Sequence, residues 1–574
     1  MKRSLPLVLF LLASACASWR KPAEPVHVVI VGTTDVHGWF NGHVETPPDG
    51  GEGVLWGGLP VLATHVEALR EQHGGRVLLV DSGDMFQGTL ESNLFEGEAM
   101  VRGYNAMGYT AVAVGNHEFD FGPVGPEPIP RSKDDDELGA LKRNAALAAY
   151  PFLSANMIEK ASGQTPAWAK PSTMVRVGGA RIGIIGLSTP DTPAVTMAIN
   201  VESLSFTDPV AATMAEARRL REQGADAVIV IAHIGGRCTD MNNEHSLDSC
   251  QTQAEAMQLL QSLPPGTIDA FFAGHTHANM RHYVNGIPTV QGQALSREFS
   301  VVDLWIEPAK DRVTKSEMRK PTMICSFVYE GTDSCDPRTA AKGAKLVPRV
   351  FGGETMTANA RVAEVLDPYL RRVAAKRDQK VGIITTATFT RTYGAESALG
   401  SLLADALRKS AGADVGIINS GGIRSDLPAG DLTYGDIFAV SPFDNYPTMV
   451  ILTGAQLIDI LRATTTGQRG IMQVSGLRYT FDAAKKGTDR FVSATLDNGD
   501  PVDPEKLYTV IMPDFIAGGG DGTSEIMKGV PADRIQTSFA TPIRDVLIEQ
   551  LAGAESALEP KVYGRITVLN RPAR

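Results

Sequence analysis

The sequence predicts two α/β domains, a layered first domain followed by a second, smaller α/β domain. Its 574 residues exceed what one hydrophobic core usually organises, so at least two domains are expected. Short apolar runs rich in β-branched residues alternate along the chain with stretches of helical character. This alternation is typical of sheets covered by helices, which is a layered α/β architecture.

The first domain is predicted to span residues 26–353. Residues 321–353 are rich in proline, glycine and charge, and they are expected to end the domain irregularly. Its strands are expected at 28–31, 77–80, 111–114, 182–187, 227–232 and 270–273, with helices at 58–72 and 209–223.

A linker at 354–380 is predicted to lead into a second domain at 381–574. The linker has the pattern of a charged helix at 360–378, despite Pro368. In the second domain we expect a helix at 399–409 and strands at 414–419, 449–452 and 508–512.

Composition and charge restrict the possible partners. Hydrophobic residues at 43% and charged residues at 21% are ordinary globular values, which argue against a disordered, collagen-like or membrane-embedded chain. A formal net charge of -11 provides no basic surface for a nucleic-acid backbone, so no nucleic-acid polymer is expected as a partner. A small anionic substrate stays possible, because a metal site supplies its own positive charge.

Residues 1–16 are predicted to be an export signal. Their apolar run at 5–12 is too short to cross a bilayer, which needs about 20 residues, so no transmembrane span is expected. Cleavage before Cys16 with lipidation of its thiol resembles bacterial lipoprotein processing, although Ala13 stands where that family usually has leucine. The protein is therefore expected in the periplasm, on the cell surface through a lipid anchor, or outside the cell.

Export also provides a role for the remaining cysteines. Cys238 with Cys250 and Cys325 with Cys335 are close sequence pairs, and an exported protein reaches a compartment that permits disulfides. A zinc site made from these cysteines is the alternative. It is disfavoured, because neither pair has CxxC spacing and no second pair faces it.

Polar side chains of metal-binding type follow the predicted strands at their carboxyl ends. Ligands bind at that edge in open α/β sheets, so separated segments can converge on one pocket. The side chains are Asp35, His37, Asp84, Asn116, His117, Glu118, Asp120, His233, His275 and His277.

The chemistry of this set predicts a metal centre. Carboxylate, imidazole and amide ligands without thiolates suit zinc, manganese or similar divalent ions. Seven of these ten side chains would already be too many ligands for one tetrahedral ion. Two ions that share a bridging carboxylate would use all seven, as in two-metal displacement at phosphorus. Gly83, Gly115 and Gly274 stand beside ligands, where the backbone must turn sharply and pass close to the ions.

The motifs D-x-H, G-D, G-N-H-E, a lone strand-end histidine and G-H-x-H resemble the calcineurin-like metallophosphoesterase superfamily. The second half resembles the C-terminal domain of the 5′-nucleotidase family through residues 419–424, 442–443 and 519–522. Together the two resemblances cover nearly the whole mature chain. They imply hydrolysis of 5′-nucleotides to nucleosides and phosphate by a hydroxide activated by two metals, with zinc, manganese or cobalt expected.

The resemblance implies a role for each position of the metal centre. His117 would be a catalytic histidine that is not a ligand, stabilising the transition state and donating a proton to the leaving oxygen, while Asp120 orients its ring. Asp84 would bridge the ions. One ion would be held by Asp35, His37, Asp84 and His277, and the other by Asp84, Asn116, His233 and His275.

The resemblance also assigns substrate contacts to the second domain. Phe443 and Phe515 would sandwich the nucleobase, and Arg424 would reach a phosphate or ribose. Asn419 and Asp521 are candidates for polar contacts to the nucleoside.

The chain departs from the family pattern at three places. Ala398 stands where the family usually has asparagine, the nearby Arg391 is shifted, and Asp444 replaces a common glycine. These departures leave the substrate preference open.

Simpler interpretations and other function classes stand beside this one. Asp35, Asp84 or Asn116 alone would more often be a turn or cap residue. Glu118 is expected to be structural or to lie just behind the ligands. Histidines outside the motifs, such as His282, are expected to be surface or packing residues.

A catalytically silent binding or adhesion protein would have lost a ligand or the catalytic histidine, and none is missing. A 2′,3′-cyclic-nucleotide or UDP-sugar phosphodiesterase and a sulfur-ester hydrolase remain open, as does the oligomeric state.

Overall fold

The computed structural model describes residues 24–45, 53–341, 343–467, 469–538 and 541–571. The predicted export signal, with Cys16, lies outside these residues. Within them, no helix is both long enough and apolar enough to cross a membrane.

The first domain is built on two sheets packed face to face. One sheet has Arg312–Met318, Glu298–Glu307, Val26–Thr33, Val77–Asp81, Ala111–Ala113 and Phe152–Leu153 in spatial order, with Thr322–Met323 paired to Glu298–Glu307. The other has Met280–Val284, Ile287–Gln291, Ala270–Phe272, Ala227–His233, Ala180–Ser188 and Ser172–Val177.

The core between the sheets explains why the central strands are continuous apolar runs. Val28 and Ile30 of one sheet pack in the same fully buried cluster as Ile182 and Ile229 of the other. Strands covered on both faces have no polar side to display. The predicted strands of this domain all form.

Helices cover the outer face of each sheet, so the domain has the predicted layered architecture. The helices on the first sheet are Leu59–Gln72, Glu98–Met107 and Gly139–Leu147, and those on the second are Pro209–Glu222 and Glu255–Ser262. Shorter helical segments are Leu90–Asn93, His117–Phe119, Thr192–Val195, Ala198–Val201 and Pro308–Lys310. Paired short strands are His43–Glu45 with Val54–Trp56, Met157–Glu159 with Leu204–Phe206, Phe327–Tyr329 with Leu346–Pro348, and Val350–Phe351 with Glu354–Thr355.

The second domain is also α/β, around a mixed sheet. The strands of this sheet are Met472–Ser475, Val415–Asn419, Leu507–Pro513, Pro447–Thr453 and Ile535–Thr537. Smaller sheets are formed by Lys380–Thr385 with Gly430–Thr433, and by Phe491–Leu496, Leu477–Asp482 and Ile566–Leu569. Its helices are Ala398–Ala411, Tyr434–Val440, Gly454–Thr464, Asp514–Ala517, Ser524–Lys528 and Ile543–Leu551, with short turns at Ser420–Gly422, Gly487–Arg490, Gly520–Gly522 and Ala532–Arg534.

Two helices of this domain begin at capping boxes that are readable in the sequence. Thr433 accepts a hydrogen bond from the N–H of Asp436, whose side chain accepts one in return. Thr453 and Gln456 make the same reciprocal pair. Such pairs satisfy backbone donors that a helix start otherwise leaves without partners.

The predicted linker helix forms at Ala360–Arg377 and packs on both domains. Leu366 lies in the helix-covered core of the first domain, whereas Val373 packs with Tyr434 and Phe438 of the second. The helix therefore sets how the two domains face each other. Both predicted disulfides, Cys238–Cys250 and Cys325–Cys335, are present.

Candidate active site

The loops that leave the first-domain strands turn back sharply at the predicted metal ligands. Five of the seven have positive φ angles, between 50° and 76°. Side chains other than glycine rarely adopt this left-handed conformation, and such strain clusters at functional sites. The five residues are Asp35, His37, Asp84, His275 and His277.

Glycines let these loops approach one another closely, as predicted. A Cβ atom on Gly115 would lie 2.2 Å from Oδ1 of Asp84, and one on Gly83 would lie 2.7 Å from the N of Gly115. Any larger residue at either position would push two of the loops apart.

The seven predicted ligands come together, and six of them form two groups. Within each group, one ligand atom per residue lies within 4.8 Å of the others. Asp84 belongs to one group and also approaches the other, because its Oδ2 lies 3.0 Å from Nε2 of His233 and 3.8 Å from Nε2 of His37. The groups are Asp35, His37 and His277, and Asp84, His233 and His275. The seventh residue, Asn116, has Oδ1 at 3.1 Å from Nε2 of His233.

The donor atoms of each group lie close together, as ligands of one ion do. Nε2 of His37 lies 2.9 Å from Nε2 of His277, and Nε2 of His233 lies 3.1 Å from Nδ1 of His275. Two imidazole nitrogens that face each other compete for one proton, whereas a divalent cation accepts both lone pairs. The residues present therefore fit a pair of divalent ions.

In His37 and His233, the second ring nitrogen is hydrogen-bonded to a backbone carbonyl group. Nδ1 of His37 lies 2.8 Å from the carbonyl oxygen of Gln87, and Nδ1 of His233 lies 2.9 Å from that of Ser82. These hydrogen bonds place the remaining proton at Nδ1 and leave Nε2 free to bind a metal, which is the usual support of histidine ligands.

Carboxylates and imidazoles shift each other's pKa strongly in this buried site. Burial opposes the charge of His233, but Asp84 and Asp35 outweigh burial and raise the pKa of His233 to about 10; a divalent cation bound at Nε2 would take the place of that proton. Burial and the Asp84 carboxylate raise the pKa of Glu118 to about 8. Glu118 accepts hydrogen bonds from the N–H groups of Asp84 and Met85, so it supports the ligand loop, as expected.

His117 lies beside the two groups without belonging to either. Its Nδ1 is 2.6 Å from Oδ2 of Asp120, and Asp120 accepts a second hydrogen bond from Thr196 at 2.8 Å. Burial lowers the pKa of His117, but Asp120 and Asp84 have the opposite and larger effect, so the pKa is raised. The ring is oriented as a proton donor or acceptor through Nε2.

A cavity of about 750 Å³ between the domains joins these groups to the predicted substrate residues. Nη2 of Arg424 lies 3.2 Å from Nε2 of His37, and the ring centroid of Phe443 lies 5.5 Å from that of His117. The second-domain residues Asn419, Arg424, Phe443, Phe515 and Asp521 all line this cavity.

Two details of the second-domain wall depend on tertiary packing. A Cβ atom on Gly520 would lie 2.4 Å from the ring of Phe515, so the glycine allows that ring to approach the loop closely. The side chain of Asn419 donates to the carboxylate of Asp521 at 2.8 Å, so these residues orient each other.

Sequence reasoning missed several charged residues of the cavity. Arg391 was noted only as a departure, yet it lines the cavity with its guanidinium bonded to the carbonyl of Ile423. Arg469 also lines it and forms a 2.7 Å ion pair with Asp191 across the domains. None of these lies in a motif of spaced ligands, so no local pattern could have identified them.

The other departures lie differently. Asp444, which replaces the glycine, borders the cavity and forms an ion pair with Arg544. Ala398 is buried as the first residue of its helix and does not line the cavity.

Both domains match known protein families. The calcineurin-like phosphoesterase family matches residues 28–279, and the 5′-nucleotidase C-terminal domain matches residues 374–528. The cell wall protein Lmo0130 of Listeria monocytogenes is 26% identical over 92% of this chain and 68% of its own. A 5′-nucleotidase of Vibrio cholerae is 26% identical over 90% of this chain and 89% of its own. The crystal structure of a 5′-nucleotidase precursor from Thermus thermophilus shares the fold, with a TM-score of 0.75 at 24% identity over 95% of this chain and 100% of that one.

Proposed function

The chain belongs to the calcineurin-like phosphoesterases that carry a 5′-nucleotidase C-terminal domain, and we propose that it hydrolyses 5′-nucleotides to nucleosides and phosphate. One observation carries the proposal: a single cavity joins two groups of metal-ligand side chains to a guanidinium and two phenylalanine rings. The first wall suits a phosphate ester, whereas the second offers contacts that only a nucleoside would use. The similarity to the Vibrio cholerae 5′-nucleotidase supports the same reaction.

The first-domain side chains are proposed to hold two divalent ions, zinc, manganese or cobalt. Such ions, when bound, lower the pKa of water towards neutrality and balance the charge that develops on phosphate. Asp84 would be shared, because it lies between the two groups. The proposed ligands are Asp35, His37, Asp84 and His277 for one ion, and Asp84, Asn116, His233 and His275 for the other.

His117 is proposed to protonate the leaving oxygen through Nε2. Asp120 holds Nδ1, which leaves Nε2 as the nitrogen that can face the ester. Asp120 is itself held by Thr196, so the ring keeps its orientation during turnover. Positioned proton transfer of this kind contributes about 10²–10⁴-fold to a rate.

The second-domain wall is proposed to recognise the nucleoside. Phe443 and Phe515 offer aromatic faces on which a base can stack. Arg424 lies close enough to the first group of ligands to reach a phosphate oxygen or the ribose. Asn419 and Asp521 present hydrogen-bonding groups beside them.

Export of the protein is part of this proposal, with a lipid anchor at Cys16 or free secretion as its two forms. Two disulfides suit an oxidising compartment, and the cell wall protein of Listeria monocytogenes is among the relatives. Mass spectrometry of the mature N-terminus separates an acylated Cys16 from a free one. The domain limits 26–353 and 381–574, with the linker at 354–380, are proposed as well, and limited proteolysis tests them.

A substrate panel tests the function directly. AMP, a 2′,3′-cyclic nucleotide, UDP-glucose and p-nitrophenyl phosphate would be compared with each candidate metal. We expect AMP to have the highest kcat/KM. A higher value for the cyclic nucleotide or for UDP-glucose would replace the proposal with a phosphodiesterase, and no hydrolysis of any ester would favour a silent binding protein.

A further inference from the structure

The Cys238–Cys250 disulfide lies against a buried histidine that the active site does not use. Both sulfur atoms and a ring nitrogen of His282 lie within 4.8 Å of one another. His282 is fully buried in the strand Met280–Val284, and its Nε2 has no hydrogen-bond partner among the described residues. A buried polar nitrogen without a partner is costly, so this nitrogen has an unused capacity to bind. None of the three residues lines the active-site cavity.

The loop that carries these cysteines is held in place by contacts that do not need the disulfide. The N–H of Tyr283 donates to the carbonyl of Glu244 at 2.8 Å, and the Glu244 carboxylate pairs with Arg281. Arg281 also donates to the carbonyl of Met241 at 3.1 Å.

Further contacts hold the same loop against the domain. Lys320 donates to the side chain of Asn242 at 2.8 Å, and Cys238 packs in an apolar cluster with Met280 and Val284. Reduction of the disulfide would therefore leave both thiols beside His282, as a preformed cluster.

We propose that Cys238, Cys250 and His282 bind one divalent ion of the zinc class when the disulfide is reduced. The loop between the cysteines is then closed by a disulfide in the oxidised protein and by a metal ion in the reduced protein. Two thiolates and one imidazole, with a water or another oxygen as the fourth ligand, form a typical tetrahedral zinc site. The histidine, which lies 32 residues beyond the second cysteine in sequence, supplies the ligand that the cysteine spacing lacks.

The chemistry of the exchange balances with a dithiol as reductant. The dithiol supplies two electrons and two protons, which break the S–S bond and produce two thiols, while the dithiol becomes a disulfide. Metal binding then releases both thiol protons, because thiolates are the ligands. Burial lowers the pKa of His282 against the opposing effect of the Asp240 backbone, and a lowered pKa favours the neutral imidazole, which is the form that binds metals.

The second disulfide provides an internal control. Cys325 and Cys335 are also joined, but within the described residues neither belongs to a group of three possible ligands. A metal that binds only through the thiols freed by reduction would not distinguish the two cysteine pairs, whereas the proposed site requires the histidine.

The test compares metal content before and after reduction in the full-length protein with its active-site ions in place. Protein reduced with dithiothreitol, freed of reductant by anaerobic gel filtration and then supplied with Co²⁺, should bind one ion more per chain than oxidised protein. The extra ion should produce a thiolate-to-cobalt charge-transfer band in the near ultraviolet. Because the measurement compares reduced with oxidised protein, the expected difference of one ion does not depend on how many ions the active site binds.

Three variants make the result specific. Cys325→Ser with Cys335→Ser should keep the extra ion and the band, whereas Cys250→Ser should lose them. His282→Asn should lower the affinity for the extra ion by about tenfold or more. An unchanged affinity in His282→Asn, or no extra ion in the reduced protein, would overturn the proposal.

Hydrolysis of p-nitrophenyl phosphate reports whether the reduced first domain is still folded. If reduction abolishes that activity, the variant Cys250→His is used in place of chemical reduction. This variant cannot form the disulfide and retains a ligand at that position. We then expect Cys250→His to bind the extra ion without any reductant, and its failure to do so would equally reject the site.

Discussion

The two walls of the active-site cavity are built in different ways. On the first-domain side, Asp35, Asp84 and His233 are fully buried, and backbone turns with positive φ hold most of the proposed ligands. On the second-domain wall, Phe443 and Phe515 are only partly buried, and their rings remain accessible to a ligand. Buried, strained loops hold chemical groups in one geometry, whereas half-buried rings can adjust to what binds. Mutations should therefore separate chemistry from recognition.

Asp84→Ala is expected to have the largest effect, because it removes the carboxylate that lies between both groups of ligands. Metal content should fall, and hydrolysis of AMP and of p-nitrophenyl phosphate should drop to background together. Elemental analysis with steady-state kinetics measures both. Asp311→Ala, at an exposed position outside the cavity, is the control and should change neither. Full activity with normal metal content would remove Asp84 from the metal centre.

His117→Ala should have the next largest effect and should leave metal content unchanged, because this ring belongs to neither group of ligands. We expect kcat to fall by about 10²–10⁴-fold for both substrates, as for loss of a positioned proton donor. His245→Ala, at an exposed histidine outside the cavity, should keep normal turnover. Unchanged turnover in His117→Ala would show that the leaving oxygen takes its proton elsewhere.

Phe443→Ala or Phe515→Ala should affect only the substrate that carries a base. Stacking a base on an aromatic ring is worth about 1–3 kcal/mol in proteins that bind single-stranded nucleic acids, so kcat/KM for AMP should fall roughly ten- to a hundredfold. The value for p-nitrophenyl phosphate should stay within about a factor of three. Phe327→Ala, at a phenylalanine that is 49% exposed and outside the cavity, is the matched control. An equal fall for both substrates would indicate damage to the fold, and no fall would contradict the proposed base contact.

Breaking the ion pair between Arg469 and Asp191 should have the smallest effect, although it joins the two walls. Pairs with an exposed partner contribute about 0–1 kcal/mol, so KM for AMP should change by less than about fivefold in Arg469→Ala. A double-mutant cycle with Asp191→Ala measures the coupling between the two residues. A much larger loss for AMP alone would mean that Arg469 contacts the substrate itself.

The proposed metal ligands could be predicted because each of them lies in a short motif directly after an apolar run. Asp35 follows Val26–Thr33, and His233 ends Ala227–His233, so identifying the strands also located the ligands. Arg391 and Arg469 could not be predicted in this way, because they lie in loops whose position depends on the packing of the second domain. From the sequence, His282 is expected to be a surface or packing residue, since nothing in its local sequence indicates that two cysteines lie beside it.

The layered α/β class, the order of the strands along the chain and the residues that meet at their carboxyl ends could all be predicted from the sequence. This was possible because strand periodicity and turn chemistry are local properties, and parallel strands bring their ends to one edge. How the second domain faces that edge depends on tertiary packing. Arg424 lies 3.2 Å from His37 across 387 residues of sequence because the helix Ala360–Arg377 packs on both domains. No local pattern specifies a contact at that separation, since it depends on the burial of apolar surface between elements that are distant in the chain.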